Sequence, residues 1–329
     1  MSAIKPAIGI IGGGAWGTAL AQMLASDGRA VTIWAIEPVV VEEINAQHRN
    51  TPYLGGIALN PAITATADLA KLGHCPLLLV VTPAQHMRSV LAGLPTGTAD
   101  LVLCCKGIEE ATGALMVDAA RAAAPGRPLA VLSGPTFAHE VARGQPTAVT
   151  LACEDRAQWA RIAPQIARPA FRPYFTSDIT GAEIGGAVKN VLAIACGVVD
   201  GLGLGQNARA ALIARGFAEM TRFGLACGAQ AETLSGLSGL GDLVLTCSSV
   251  SSRNFSLGKA LGEGASAAAI LADRATVAEG AFTAPVLQRV ARQRGVAMPI
   301  VDTVCALLTG DVAAGAAVAA LLARPLTAE

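Results

Sequence analysis

The chain has 329 residues, 24 basic side chains against 24 acidic ones, and is 53% hydrophobic but only 4% aromatic. That length argues for two domains. Zero net charge excludes a general basic face for nucleic acid or a polybasic tract for a membrane surface, and the apolar content excludes a disordered chain.

The eight cysteines form no C-x-x-C pair, and several sit inside apolar runs. They read as reduced, buried residues of a cytosolic protein. The four histidines have no metal-ligand spacing, so no metal is expected. Met1 to Pro6 leads straight into a strand pattern without a signal-cleavage site, and uncharged apolar runs such as residues 312–323 are too short to span a bilayer. The expectation is a cytoplasmic protein with no integral membrane segment and no nucleic-acid partner.

Residues 7–11 form a short apolar strand that runs into Gly12-Gly13-Gly14-Ala15-Trp16-Gly17. This fits G-x-G-x-x-G. A helix follows over about 15–26, then a strand over 31–34, then Glu37, 20 residues after Gly17. Strand, glycine turn, helix, strand and acid in one unit point to dinucleotide binding. Gly12 allows the tight turn, Gly14 lets the pyrophosphate approach the backbone, and Gly17 lets helix and strand pack. Further strands are expected over 76–81, 101–105, 129–132, 147–152 and 171–175, with a helix opening at Ala84 and another over 156–166. Alternating elements of this kind make a largely parallel, doubly wound sheet. Lys106, Gly134 and Thr136 fall at strand carboxyl ends, where such sheets bind ligands.

After about Asp178 the strand pattern stops, giving an expected division into 1–178 and an all-helical 179–329. The first helix carries Lys189, the only charged side chain between Glu183 and Asp200. A lysine there either snorkels to water or sits in a partly dry pocket that favours a proton acceptor. Gly185 and Gly186, one turn earlier, admit another backbone or a ligand. Glycines 201–205 and 236–241 have no preceding strand and read as helix ends and mobile loops. Asn207 caps a helix running to about Cys227, and Asp242 lies in an apolar setting. Ser252, Arg253 and Asn254 open a helix over 255–261. Helices are also expected over 265–271, 284–294, 299–308 and 312–323, with Thr283 and Pro285 as start signals for the second of these. Arg253 is either an ordinary helix-start arginine or a fork for phosphate oxygens, helped by Ser252 and Asn254.

Six blocks in this order carry a resemblance: Gly12–Gly17 with Thr18-Ala19-Leu20, Lys106–Glu109, Ser133–Ala138, Gly186–Asn190, Gly239–Leu243 and Ser252–Asn254. Together they resemble the bacterial NAD(P)-dependent glycerol-3-phosphate dehydrogenases over essentially the whole chain. The resemblance implies a Rossmann-type domain followed by an all-α catalytic domain, and NAD(H) or NADP(H) as cofactor. It implies a three-carbon phosphate as substrate and a supply of glycerol 3-phosphate for phospholipid synthesis. It makes Lys189 the proton acceptor, with Lys106 and Asp242 beside it in the catalytic set. Lys106, Gly134, Thr136, Asp242, Ser252, Arg253 and Asn254 contact substrate on this reading. Gly12, Gly14, Ala15, Trp16, Gly17, Lys106, Ala138, Arg253, Val277 and Glu279 line the cofactor. Two departures stand out. Ile36 occupies a position where the family often has a basic residue, and Val277-Ala278-Glu279-Gly280 replaces a common Val-Glu-Gly.

Competing readings are a 3-hydroxy-acid or sugar-acid dehydrogenase, which leaves Arg253 without a phosphate, and a non-catalytic NAD(P) sensor, which needs no Lys106, Lys189 and Asp242 together. The alanine faces of the helical half are compatible with a homodimer.

Overall fold

The computed structural model describes residues 7–272 and 278–323. Contacts divide the chain into two compact units. One comprises residues up to Lys106 and Ala114–Ala182; the other comprises Gly107–Gly113 and residues from Glu183 onwards.

The first unit is built on eight strands: β1 (Ile8–Ile11), β2 (Val31–Trp34), β3 (Ile63–Thr66), β4 (Leu77–Val80), β5 (Asp100–Leu103), β6 (Leu129–Ser133), β7 (Thr147–Cys153) and β8 (Phe171–Thr176). Their order in the sheet is β3-β2-β1-β4-β5-β6-β7-β8. All neighbours pair in parallel except β6 and β7, which are antiparallel. β1 and β4 are buried along their whole length, as parallel strands covered on both faces must be. Period-two alternation sorts their side chains into two cores. Ile8, Ile10, Leu77, Leu79 and Val102 face one core with helices α1 (Ala15–Ala25) and α2 (Pro38–Gln47). Ile11, Leu78, Val80, Leu101 and Leu103 face the other.

α3 (Thr51–Leu54) packs on α1, while α4 (Ala84–Ala92) and α5 (Met116–Ala123) pack together. α6 (Ala138–Ala142) lies against α1, and α7 (Arg156–Ile166) against β7 and β8. Asp155 caps α7 by accepting from the Gln158 N–H at 2.7 Å. The strand Ile63–Thr66 is not among the expected elements. It is a four-residue edge strand with one exposed position, too short for its alternation to stand out.

In the second unit α8 (Ile179–Gly201) carries Lys189 and is buried from residue 181 to 199. By length and composition alone it could cross a bilayer, but its apolar window is wholly buried, as in a core helix. Then come α9 (Gly205–Ala226), α10 (Ala231–Ser235), α11 (Asp242–Thr246), α12 (Arg253–Gly262), α13 (Ala267–Ala272), α14 (Glu279–Gln293), α15 (Pro299–Thr309) and α16 (Ala314–Leu322).

Three local readings need correction. Asn207 lies inside α9, which starts at Gly205. Pro285 lies inside α14, whose first turn begins at Glu279 and is held there because the Gly280 N–H donates to Asn254 Oδ1 at 2.8 Å. Residues 237–241 are no mobile loop; they form one π-helical turn with Ser238 and Gly239 buried.

Candidate active site

The glycine turn after β1 has the geometry a dinucleotide requires. Gly12 sits at φ +128°, and a Cβ there would lie 2.9 Å from the carbonyl carbon and oxygen of Val81. A Cβ on Gly17 would lie 2.0 Å from Gly12 O. Both positions are closed to any side chain by their own backbone surroundings. Gly14 is the opposite case: a Cβ there would meet nothing within 4 Å. The protein therefore leaves open the one position at which a ligand must approach the main chain. Gly14 is also the N-cap of α1, makes no side-chain cap, and has no acid in the turn after it. The first intrahelical bond runs from the Thr18 N–H to Gly14 O, so the N–H groups of Ala15, Trp16 and Gly17 start the helix as donors for an anion. This turn stands between β1 and β4, where the strand order reverses and such sheets bind nucleotides. The donor set fits a pyrophosphate.

Further along the same carboxyl edge, Lys106 follows β5 and Gly134 follows β6. The Lys106 amine donates to Gly134 O at 3.2 Å, and the Thr136 hydroxyl donates to the same oxygen at 3.3 Å. Gly134 has φ +155°, with its Cβ position 3.0 Å from Val149 Cα, so only glycine turns the chain there. Ala138 is the first residue of α6. Lys106, Gly134 and Thr136 thus form one cluster in the sheet unit.

In the helical unit Lys189 is 6% exposed and Asp242 is fully buried. The Lys189 amine donates to Asp242 Oδ1 at 2.6 Å and to Thr246 Oγ1 at 3.0 Å. The Thr246 hydroxyl donates in turn to Asp242 Oδ1 at 3.3 Å. Asp242 and Thr246 are four residues apart on α11 and share a face. A close approach brings α11 to α8. A Cβ on Gly185 would lie 2.2 Å from Ser238 O, so the π-helical turn before Asp242 rests on α8 one turn ahead of Lys189. π-turns of this kind concentrate at functional sites.

The start of α12 is stitched to the same stretch of α8. Asn254 Nδ2 donates to Asn190 Oδ1 at 2.9 Å, and Asn190 is the neighbour of Lys189. Ser252 caps α12, its Oγ accepting from the Phe255 N–H at 3.2 Å. Ser252 and Asn254 are buried, while Arg253 between them is exposed. The Arg253 side chain makes no hydrogen bond or ion pair with the described residues. Glu279 is the first residue of α14. Val277 lies outside the described residues.

With this geometry in place, comparison with known proteins is decisive. The description "NAD-dependent glycerol-3-phosphate dehydrogenase N-terminus" matches residues 7–159, and the corresponding C-terminus matches residues 178–319. A glycerol-3-phosphate dehydrogenase (NAD(P)+) of Novosphingobium aromaticivorans is 70% identical over 323 residues, covering 98% of each chain. One from Caulobacter vibrioides is 56% identical, again covering 98% of each. The crystal structure of the enzyme from Coxiella burnetii superposes with a TM-score of 0.93 at 37% identity, over 98% of this chain and 100% of that one.

The chain belongs to the NAD-dependent glycerol-3-phosphate dehydrogenase family. It is an NAD(P)-dependent oxidoreductase that interconverts sn-glycerol 3-phosphate and dihydroxyacetone phosphate.

Thr246 and Asn190 belong to this site without being among its expected residues. Thr246 had a readable signal, since it stands four residues after Asp242 on a helical stretch. Asn190 closes the Gly186–Asn190 block, but its role rests on a long-range bond to Asn254 that the block does not show. That bond also changes the picture of Asn254: its carbonyl and one N–H are engaged by Gly280 and Asn190, leaving at most one N–H for a ligand.

Proposed function

We propose that Lys189 is the proton acceptor of the reaction and that the residues around it divide into those that hold the amine and those that hold the substrate. In oxidation the Lys189 amine takes the C2 hydroxyl proton of glycerol 3-phosphate; in reduction its ammonium form returns a proton to the ketone oxygen. The nicotinamide, when bound, accepts or supplies the hydride at C2. Asp242 and Thr246 fix the position of the amine. Arg253 grips the phosphate through its guanidinium fork, with Ser252 and Asn254 holding the start of α12 in place. Lys106, Gly134 and Thr136 contact the substrate from the strand ends, Lys106 also touching the cofactor. Gly12, Gly14, Ala15, Trp16, Gly17 and Ala138 line the cofactor, joined by Arg253, Val277 and Glu279. On this reading residues 1–178 bind the dinucleotide and 179–329 bind substrate and carry the acid–base group.

The observation that carries the reading is the buried amine of Lys189, 2.6 Å from Asp242, on the stretch of α8 to which Asn254 ties the Arg253 turn. The chemistry needs no secretion or membrane anchoring, and we place the enzyme in the cytoplasm, supplying glycerol 3-phosphate for phospholipid synthesis. The exposed alanines of α9, Ala210, Ala211 and Ala214, support a homodimer.

The substrate assignment is tested by replacing Arg253. Arg253→Ala should weaken binding of dihydroxyacetone phosphate by about ten- to a hundredfold, the scale of a hydrogen bond to a charged group, measured as KM with absorbance of the reduced nicotinamide as readout. An unchanged KM would remove Arg253 from the phosphate site.

A further inference from the structure

The residues that follow β2 carry a cofactor preference. Glu37 stands at the carboxyl end of β2, where the adenosine ribose lies in a dinucleotide-binding sheet and an acid accepts from its 2′-hydroxyl. Here the Tyr53 hydroxyl donates to Glu37 Oε1 at 3.0 Å. One carboxylate oxygen is thus engaged by the protein, and the other keeps its capacity to accept.

Tyr53 is itself firmly placed. It lies on α3, which packs on α1. Asn50, the N-cap of α3, is fully buried and donates to Gly13 O at 2.8 Å and to Thr18 Oγ1 at 2.7 Å. Thr51 binds the Glu43 carboxylate of α2 through its N–H at 2.8 Å and through its hydroxyl. The phosphate-binding turn, α2 and α3 therefore fix where the phenol sits, and the phenol fixes where the carboxylate sits.

The stretch around it is acidic on balance. A 2′-phosphate needs a cation in place of the carboxylate. The residue next to Glu37 is Ile36, whose side chain is 72% exposed and carries no charge. From Ala35 to Leu54 the acids are Glu37, Glu42 and Glu43 and the single arginine is Arg49. A phosphate brought to Glu37 meets like charge, whereas a free hydroxyl meets an acceptor already oriented for it.

We infer that this enzyme prefers NAD(H) to NADP(H), with Glu37 as the discriminating residue and Tyr53 as the residue that positions it. The preference rests on the nucleotide site after β1. Titration of the full chain with NADH and with NADPH, followed by fluorescence of the reduced ring, measures it without turnover. The wild type should bind NADH at least about tenfold more tightly than NADPH. Glu37→Gln should bring the two within about threefold of each other, chiefly by strengthening NADPH. Tyr53→Phe should weaken NADH by about three- to tenfold, the worth of one hydrogen bond, with NADPH affinity and melting temperature unchanged. Equal affinities in the wild type, or tighter NADPH through a cation such as Arg49, would overturn the preference. An unchanged ratio in Glu37→Gln or Tyr53→Phe would overturn the assignment to that residue. Binding of neither nucleotide would refute the nucleotide site itself, and the preference with it.

Discussion

At the end of β1 the groups offered to a ligand are backbone N–H donors beside a glycine with open space over it. Around Lys189 they are titratable side chains from α8 and α11, sunk into an interior. In the sheet unit Asp100 is gripped at 2.7 and 2.9 Å by Arg161, whose guanidinium is half exposed. The helical unit places carboxylates deep inside, Asp242 opposite Lys189 and Glu219 beneath α15. Backbone donors are indifferent to pH and cost the fold little. Buried ionised groups must be matched one to one. The contrast predicts that damage to the helical site registers in stability as well as rate, whereas a methyl placed on the open face at Gly14 registers in binding alone.

The largest effect is expected at Asp242. Asp242→Ala leaves the Lys189 amine buried without its carboxylate, and breaking such a pair costs about 3–5 kcal/mol. Thermal or urea unfolding measures it. A loss under about 1 kcal/mol would mean that the amine reaches water and that the contrast between the units is false.

Next comes Glu219. Its carboxylate accepts from the N–H groups of Ile300 at 2.8 Å and Val301 at 3.4 Å, at the start of α15. Burial pushes its pKa up to about 7 from an ordinary 4.5, against the opposing pull of those two N–H donors. The folded state therefore holds this proton more tightly than the unfolded state does. Its contribution is complete below about pH 4.5 and is lost as pH rises through about 7, at most about 3 kcal/mol in all. Glu219→Gln, which mimics the protonated acid, should flatten the fall in stability between pH 5 and pH 8, on the order of the ordinary and shifted values. A variant whose unfolding free energy falls with pH as steeply as the wild type would contradict this.

The smallest effect on the fold, and the sharpest test of the contrast, is Gly14→Ala. The backbone there has φ −70° and ψ −178°, which alanine adopts freely, and the added methyl meets no protein atom within 4 Å. Stability should stay within about 0.5 kcal/mol, while NADH affinity falls at least about tenfold because the methyl occupies the approach to the phosphates. A melting temperature that drops with affinity unchanged would reverse the assignment of that open face.

The same contrast explains what could be read from the chain alone. Gly12, Gly14 and Gly17 were legible because a turn, a phosphate approach and a helix–strand contact each demand glycine at fixed spacing. Lys189 was legible because a single charge in an apolar helix stands out. The eight-stranded order and the reversal of β7 were not, since pairing is set by packing between distant segments. Thr246 is readable only through its spacing from Asp242, and Asn190 takes on its role only when α12 meets α8. The start of α14 was misplaced because a tertiary bond to Gly280 overrides the local signal of Thr283 and Pro285.

The central claim is that the buried amine of Lys189 carries the proton. The direct measurement is Lys189→Ala assayed with dihydroxyacetone phosphate and NADH, with NADH affinity determined in parallel. Turnover should fall by about 10²–10⁴-fold, the worth of a positioned acid–base group, while NADH affinity remains that of the wild type. Near-normal turnover in the variant would contradict the account.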